Sequence, residues 1–192
     1  MEFSPEMKRL LKIFGLSTIA LVLVLSFFNQ KEKSESDPSQ ITDASRLFFK
    51  NIRSSYYDVE NREDANYTLY RLDKRLKDST VTTIQAAIVM DWLKDKAYIF
   101  IEPQGKLATI DTIKVRYQST EGQVSCEWSA GPKEVHLDFV QKIYPALKSD
   151  YPLEILLESE WRPFLTEEKQ REALRLTFFD YFRLTEQYQL ND

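Results

Sequence analysis

Between Lys12 and Lys31 the chain carries no charged side chain, and Ile13 to Phe28 (IFGLSTIALVLVLSFF) is built almost wholly of Leu, Ile, Val, Phe and small residues. A helix with no polar side needs apolar surroundings on all sides, so this stretch constrains everything attached to it. Sixteen residues at about 1.5 Å each make about 24 Å, short of the roughly 30 Å hydrocarbon core of a bilayer. Counting Leu10, Leu11 and Lys12 brings the helix to about 28 Å. The Lys12 ammonium reaches the headgroups along its aliphatic stem. The sequence therefore predicts a transmembrane signal-anchor helix over 10–28, preceded by a short flank over 1–9.

A cleaved signal peptide also places basic residues (here Lys8, Arg9 and Lys12) before an apolar run. It wants small residues soon afterwards, where this chain has Ser26-Phe27-Phe28-Asn29-Gln30; Ser34 and Ser36 lie farther downstream. No cysteine follows the run closely, which argues against a lipoprotein anchor. The N-terminal flank is more basic than the flank Lys31–Asp37, so the positive-inside rule places the N-terminus in the cytoplasm. The C-terminal domain is then extracytoplasmic, periplasmic in a bacterium. The membrane itself is the first expected partner, through residues 10–28.

Residues 29–40 (NQKEKSESDPSQ) are polar and read as a flexible linker. Residues 41–192 have the length and apolar content of a single globular α+β domain. Alternating, aromatic-rich segments predict strands at Ser45–Ile52, Ala65–Leu76, Val81–Met90, Lys96–Glu102, Asp111–Gln118, Gln123–Ser129 and Leu153–Glu158. Turns at Asp91–Asp95 and Thr120–Gly122 make hairpins of two adjacent pairs. Val135, Phe139, Ile143 and Leu147 form one stripe of a helix starting at Pro132, which Pro145 should kink or end. Thr166 is placed to cap a last helix over Glu167–Tyr188. The expected architecture is a mostly antiparallel sheet with two C-terminal helices packed on one face.

Four glycines in 192 residues leave no phosphate-cradling loop. Beyond residue 39 the chain holds 21 basic and 25 acidic residues. That is no footprint for nucleic acid, and the basic cluster Arg71, Lys74, Arg75 and Lys77 is interleaved with Asp73 and Asp78. Cys126 is the single cysteine and His136 the single histidine. They form a nucleophile–base pair only if the fold brings them together; otherwise they are a packed thiol and a half-exposed imidazole. The acid pairs Asp91/Asp95 and Glu158/Glu160 suit general acid–base work as geometry, but 30 acidic residues produce such pairs freely. No catalytic residue, metal site or cofactor is expected.

The last helix carries more apolar surface than one sheet needs, with Leu174, Phe178, Tyr181 and Tyr188 on one stripe and Leu176, Phe179 and Phe182 on the next. It is either wedged between the sheet and the preceding helix or docks a partner. Phe178, Phe179, Tyr181 and Phe182, with Trp92 and Trp161, are therefore the candidate partner contacts. Three function classes follow. The first is a non-enzymatic accessory or assembly subunit of a membrane protein complex, its partners other membrane or envelope proteins. The second is a tethered small-ligand or peptide-binding module using a concavity between sheet and helices. The third, least favoured, is a carboxylate- or Cys/His-based hydrolase.

Overall fold

The computed structural model describes residues 5–28 and 37–187, the side chains at 8, 10 and 23–28 excepted. The expected linker up to residue 36, the start of the flank, and Tyr188 lie outside the described residues. The chain divides into two units, Met1–Asp37 and Pro38–Asp192.

The first unit is helix α1, Pro5–Phe28. Its described apolar side chains, among them Leu11, Ile13, Phe14, Leu16, Ile19, Leu21 and Val22, are all exposed. At 100° per residue these positions point to every side of the helix. Ser17 and Thr18 donate their hydroxyls back to the carbonyls of Ile13 and Phe14, at 2.7 and 2.9 Å, so neither needs a partner outside the helix. Among the described residues no helix is long and apolar enough to cross a membrane. Part of the expected span, residue 10 and residues 23–28, falls on side chains outside that set.

The second unit is α+β, as expected, but its strands form two four-stranded antiparallel sheets rather than one. The first sheet is a meander of β1 (Tyr57–Arg62), β2 (Tyr67–Leu72), β3 (Thr83–Asp91) and β4 (Lys96–Gln104), in that spatial order. The second contains β5 (Thr112–Ser119), β6 (Gly122–Ser129), β7 (Leu153–Leu157) and β8 (Glu160–Phe164), ordered β6-β5-β7-β8. Helix α3, Lys133–Lys148, connects β6 to β7 and packs on β6 and on β4, so it bridges the two sheets. Helix α4, Glu168–Leu184, packs across β2, β3 and β4 and against α3. The helices therefore do not share one face of one sheet. One continuous core joins Ile84, Ile88 and Ile99 of the first sheet, Ile113, Val115 and Ile155 of the second, and Phe139, Ile143, Phe178 and Phe182 of the helices.

Ser45–Ile52, expected as a strand, is helical instead: α2 (Asp43–Phe48) runs straight into a π-helical turn at Phe49–Arg53. Thr42 and Ser45 cap α2 reciprocally, each side chain accepting the other's backbone N–H at 3.2 Å. The aromatic doublet Phe48-Phe49 fits this arrangement, because Phe49 alone is buried, edge-on to Tyr70 and tilted on Tyr57. Pro145 neither ends nor splits α3, which continues to Lys148 because Tyr144, Ala146 and Leu147 around it are buried in the core. The N-cap of α4 is Glu167, not Thr166, and no side chain caps it. Strands β1 and β8 were not anticipated. β8 is joined to β7 through Glu158 and Ser159, both at positive φ as a two-residue mirror-image turn requires.

Gly105 opens a short 3₁₀ turn, Gly105–Thr109, at φ +58°, and a Cβ there would lie 2.7 Å from the backbone of Val81. Both the left-handed backbone and the contact exclude a side chain. Gly105→Ala is expected to lower stability by about 2 kcal/mol or more in urea denaturation, and Gly122→Ala by about 1 kcal/mol, since its φ of +138° strains a side chain even though the space is open.

Candidate functional site

Between the first sheet and α4, where the alternative of a ligand-binding module places its concavity, the pocket among Leu72, Ile84, Ala86, Ala173 and Leu174 has a volume of only about 10 Å³, the lower limit for one water. The large concavity lies on the opposite face of the same sheet, with a volume of about 740 Å³. Strand alternation builds it. Tyr70 and Leu72 of β2 face the core, so Tyr67, Leu69 and Arg71 face outward. In register, Leu69 lies beside Val89 and Val89 beside Tyr98; Arg71 lies beside Ala87 and Ala87 beside Phe100. Ala87 and Val89 are buried yet do not belong to the core cluster, so the outward side chains around them form an apolar surface of their own.

One end of this groove is closed by charge. Arg71 grips Glu102 with Nε and Nη2 at 2.6–3.0 Å, spanning β3, and gives Nη1 to Glu60 of β1 at 2.8 Å. These acids raise the Arg71 pKa, while Arg71 and Arg62 hold Glu60 below the ordinary carboxylate range. Arg75 and Lys77 of the same basic cluster pair with Asp58, and Lys77 also with Asp73, so these two charges are neutralised locally. Gly131, Pro132 and Lys133, leading into α3, form the rim beyond β4, and the Lys133 ammonium sits 4.4 Å over the Tyr98 ring.

That rim is held by His136, which is buried rather than half-exposed. Its Nδ1 accepts the Ile101 N–H of β4 at 2.9 Å and the Trp128 indole N–H of β6 at 3.1 Å, and the ring is also hydrogen-bonded to the Gly131 backbone. Burial pushes its pKa down, as a neutral acceptor requires. Cys126 is buried on β6, and burial raises its thiol pKa to about 11. With Nδ1 already taken by two donors, His136 does not serve as a base for Cys126. Asp91 and Asp95 part company: Asp91 accepts the backbone N–H groups of its own turn, and Asp95 pairs with Arg46 at 2.7 Å. Glu158 and Glu160 are exposed and both lie within 4 Å of Arg162.

A second polar cluster lies at the other end of α4. The Asp180 carboxylate is fully buried and accepts from Arg53 Nε and Nη2 at 2.8–3.0 Å and from the Tyr57 hydroxyl at 2.7 Å. Burial first, and then the Asp180 charge, raise the Tyr57 pKa, so the phenol stays a donor. Arg53 is held protonated by the same carboxylate. A cavity of about 250 Å³ adjoins this cluster between α2 and the end of α4. The carboxylate is fully engaged there, so the arrangement is a clamp joining the π-turn, β1 and α4.

Of the candidate partner contacts, Phe178, Tyr181 and Phe182 are buried in the core, because α4 is wedged between the first sheet and α3. They are not available to a partner of the folded domain. Phe179 is exposed, as is Trp92 in the β3–β4 turn. Trp161 on β8 is half-buried beneath the Arg116 guanidinium, 4.1 Å from its ring. The groove residues Leu69, Val89, Tyr98 and Phe100 were not singled out from sequence. Compared with protein-family models, curated proteins and solved structures, the chain matches none.

Removing the Asp180 carboxylate strands a partly buried guanidinium, and Asp180→Ala should cost about 3–5 kcal/mol of unfolding free energy in urea titration. Tyr57→Phe should cost about 1.5–3 kcal/mol, since a hydrogen bond to a charge is lost. The His136 contribution has a definite sign. Its pKa is lower folded than unfolded, so below about 6.5 the unfolded chain binds the extra proton and stability falls. The urea midpoint should drop as pH is lowered from 6.5 toward 5.5, and His136→Gln should flatten that limb.

Proposed function

We propose that this chain is a membrane-anchored, non-enzymatic subunit of an envelope complex, and that its domain holds a partner protein against the outer face of the first sheet. One observation carries the reading: the apolar groove of about 740 Å³ over Leu69, Ala87, Val89, Tyr98 and Phe100, closed at one end by the Arg71–Glu102 pair. A concavity of that volume with an apolar floor is the form that binding sites take. It has the character of an interface core, aromatic and aliphatic in the middle with charge at the rim.

The anchoring part of the proposal rests on α1. Its described side chains offer apolar surface on every side, and the Ser17 and Thr18 hydroxyls bond within the helix, as a segment surrounded by hydrocarbon requires. The N-terminus is then cytoplasmic and the domain extracytoplasmic. Anchoring raises the effective concentration of the domain around partners in the same membrane, so a modest groove suffices for stable association. A tethered module for a small ligand or an apolar peptide is the second reading, favoured by a groove volume within the range of about 300–1,000 Å³ common to ligand sites.

Affinity purification of the full chain after gentle detergent extraction tests the first reading. Other membrane proteins should co-purify in stoichiometric amount. The double variant Leu69→Glu/Tyr98→Glu should lose them by at least tenfold, about 1.4 kcal/mol, while keeping a cooperative thermal melt. A monodisperse lone monomer, or a groove variant that retains its partners, would overturn it.

A further inference from the structure

Among the described residues of the domain, the turn between β3 and β4 is the place where two large apolar side chains adjacent in sequence are both exposed and held in place. Trp92 is 55% exposed and Leu93 74%. Their backbone is not loose. The Asp91 side chain, almost wholly buried, accepts the N–H groups of Leu93 and Lys94 at 3.1 and 3.2 Å. Asp95 closes the turn at φ +52° and is tied to Arg46 of α2 at 2.7 Å. A hairpin that spends a buried carboxylate and an ion pair on presenting Trp and Leu to the outside is poorly explained by the domain's own packing, because neither side chain joins the core.

The chain enters the domain beside this turn. Ile41 donates its N–H to the Asp95 carbonyl at 3.0 Å, Ala97 donates to the Ser39 carbonyl at 2.8 Å, and Gln40 bridges to Lys96. Pro38 is thus about three strand residues, or about 10 Å, from the base of the turn. Nine residues separate Phe28 from Pro38, and at full extension they reach at most about 35 Å. The chain thus enters the domain at the same corner that carries Trp92 and Leu93.

We infer that the Trp92–Leu93 turn is a membrane-contact site, inserting its indole and isobutyl groups into the headgroup region of the bilayer that holds α1. The chemistry fits that occupant. Tryptophan partitions to the boundary between headgroup and acyl chain, where its ring is apolar and its N–H meets polar groups. The neighbouring Lys94 ammonium pairs with Asp91 at 3.4 Å yet is 64% exposed, so its outer side is open to lipid phosphate. Two side chains bind a bilayer weakly in free solution, but the anchor makes the encounter intramolecular and removes most of that cost. This inference rests on the anchored reading of α1 and is separable from the groove's partner.

The full chain reconstituted into phosphatidylcholine vesicles provides the test, with the lipid either plain or brominated in the upper part of its acyl chains. Trp92 is one of three tryptophans. Brominated lipid should quench about a third of the tryptophan emission, the share of one interfacial indole. Trp92→Phe should abolish the difference between the two lipids. Leu93→Glu, which keeps all three fluorophores and puts a charge on the tip, should reduce the quenching to the same level. A chain that floats with the vesicles and folds, yet shows equal emission in both lipids, overturns the inference while leaving the anchor standing, and places the turn in water or on a protein. A chain that does not float with the vesicles overturns the anchor and this inference together.

Discussion

A single ring nitrogen of His136 receives two hydrogen bonds that belong to different sheets, one from the backbone of β4 and one from the indole of Trp128 on β6. A neutral imidazole buried on α3 therefore joins both sheets to the helix lying between them. The same ring is bonded at Gly131, and Gly131 to Lys133 form the wall of the outer groove. The Ile101 N–H that it takes up belongs to the edge strand of the first sheet, where an unpaired donor would invite another strand. Ser39–Ile41 covers the start of that edge, and Pro103 near its end has no N–H to offer. The opposite edge, β1, is guarded differently, by Asp58, Glu60 and Arg62.

The clamp at Asp180 decides which face of the first sheet remains open. It draws the π-turn and β1 onto α4, and with α4 wedged against α3 the inner face of the sheet is sealed by Phe178, Tyr181 and Phe182. Among the described residues nothing comparable crosses the outer face, where the Arg71–Glu102 pair lies over β3 in place of a helix. A bidentate pair is a poor lid but a good boundary: it excludes apolar matter from one end and leaves the middle uncovered.

Much of the fold was legible wherever one periodicity was dominant. The two hairpins, the stripe Val135–Phe139–Ile143–Leu147 and the aromatic α4 all follow from spacing, and Tyr70 and Leu72 do face the core. Ser45–Ile52 misled because Leu47 and Phe49 alternate as in a strand, although Phe48 and Ile52 keep helical spacing; the deciding signal was the Thr42/Ser45 capping pair at its start. The division into two sheets was invisible, since strand pairing depends on contacts distant in sequence. The groove did leave a trace. Thr83–Asp91 is buried at every position, and Tyr67 and Leu69 add apolar residues to the side of β2 that alternation assigns outward. A strand buried on both faces implies cover on both, and in an antiparallel sheet with helices on one side that cover has to come from its own neighbours or from another molecule.

The two ends of the domain are fastened to each other. The Gln187 side-chain amide donates to the Pro38 carbonyl, and the Thr42 hydroxyl donates to the Glu186 carboxylate at 2.6 Å. Pro38 is also where the chain leaves for the N-terminal unit, so any mechanical load carried along the chain is delivered first to this clasp and to the short β-bridge at Gln40. Those contacts lie at the edge of the sheet, where load reaches them before it reaches the strand ladders. Their release would uncover Ile41 and the first residues of β4, converting tension on the chain into an exposed strand edge.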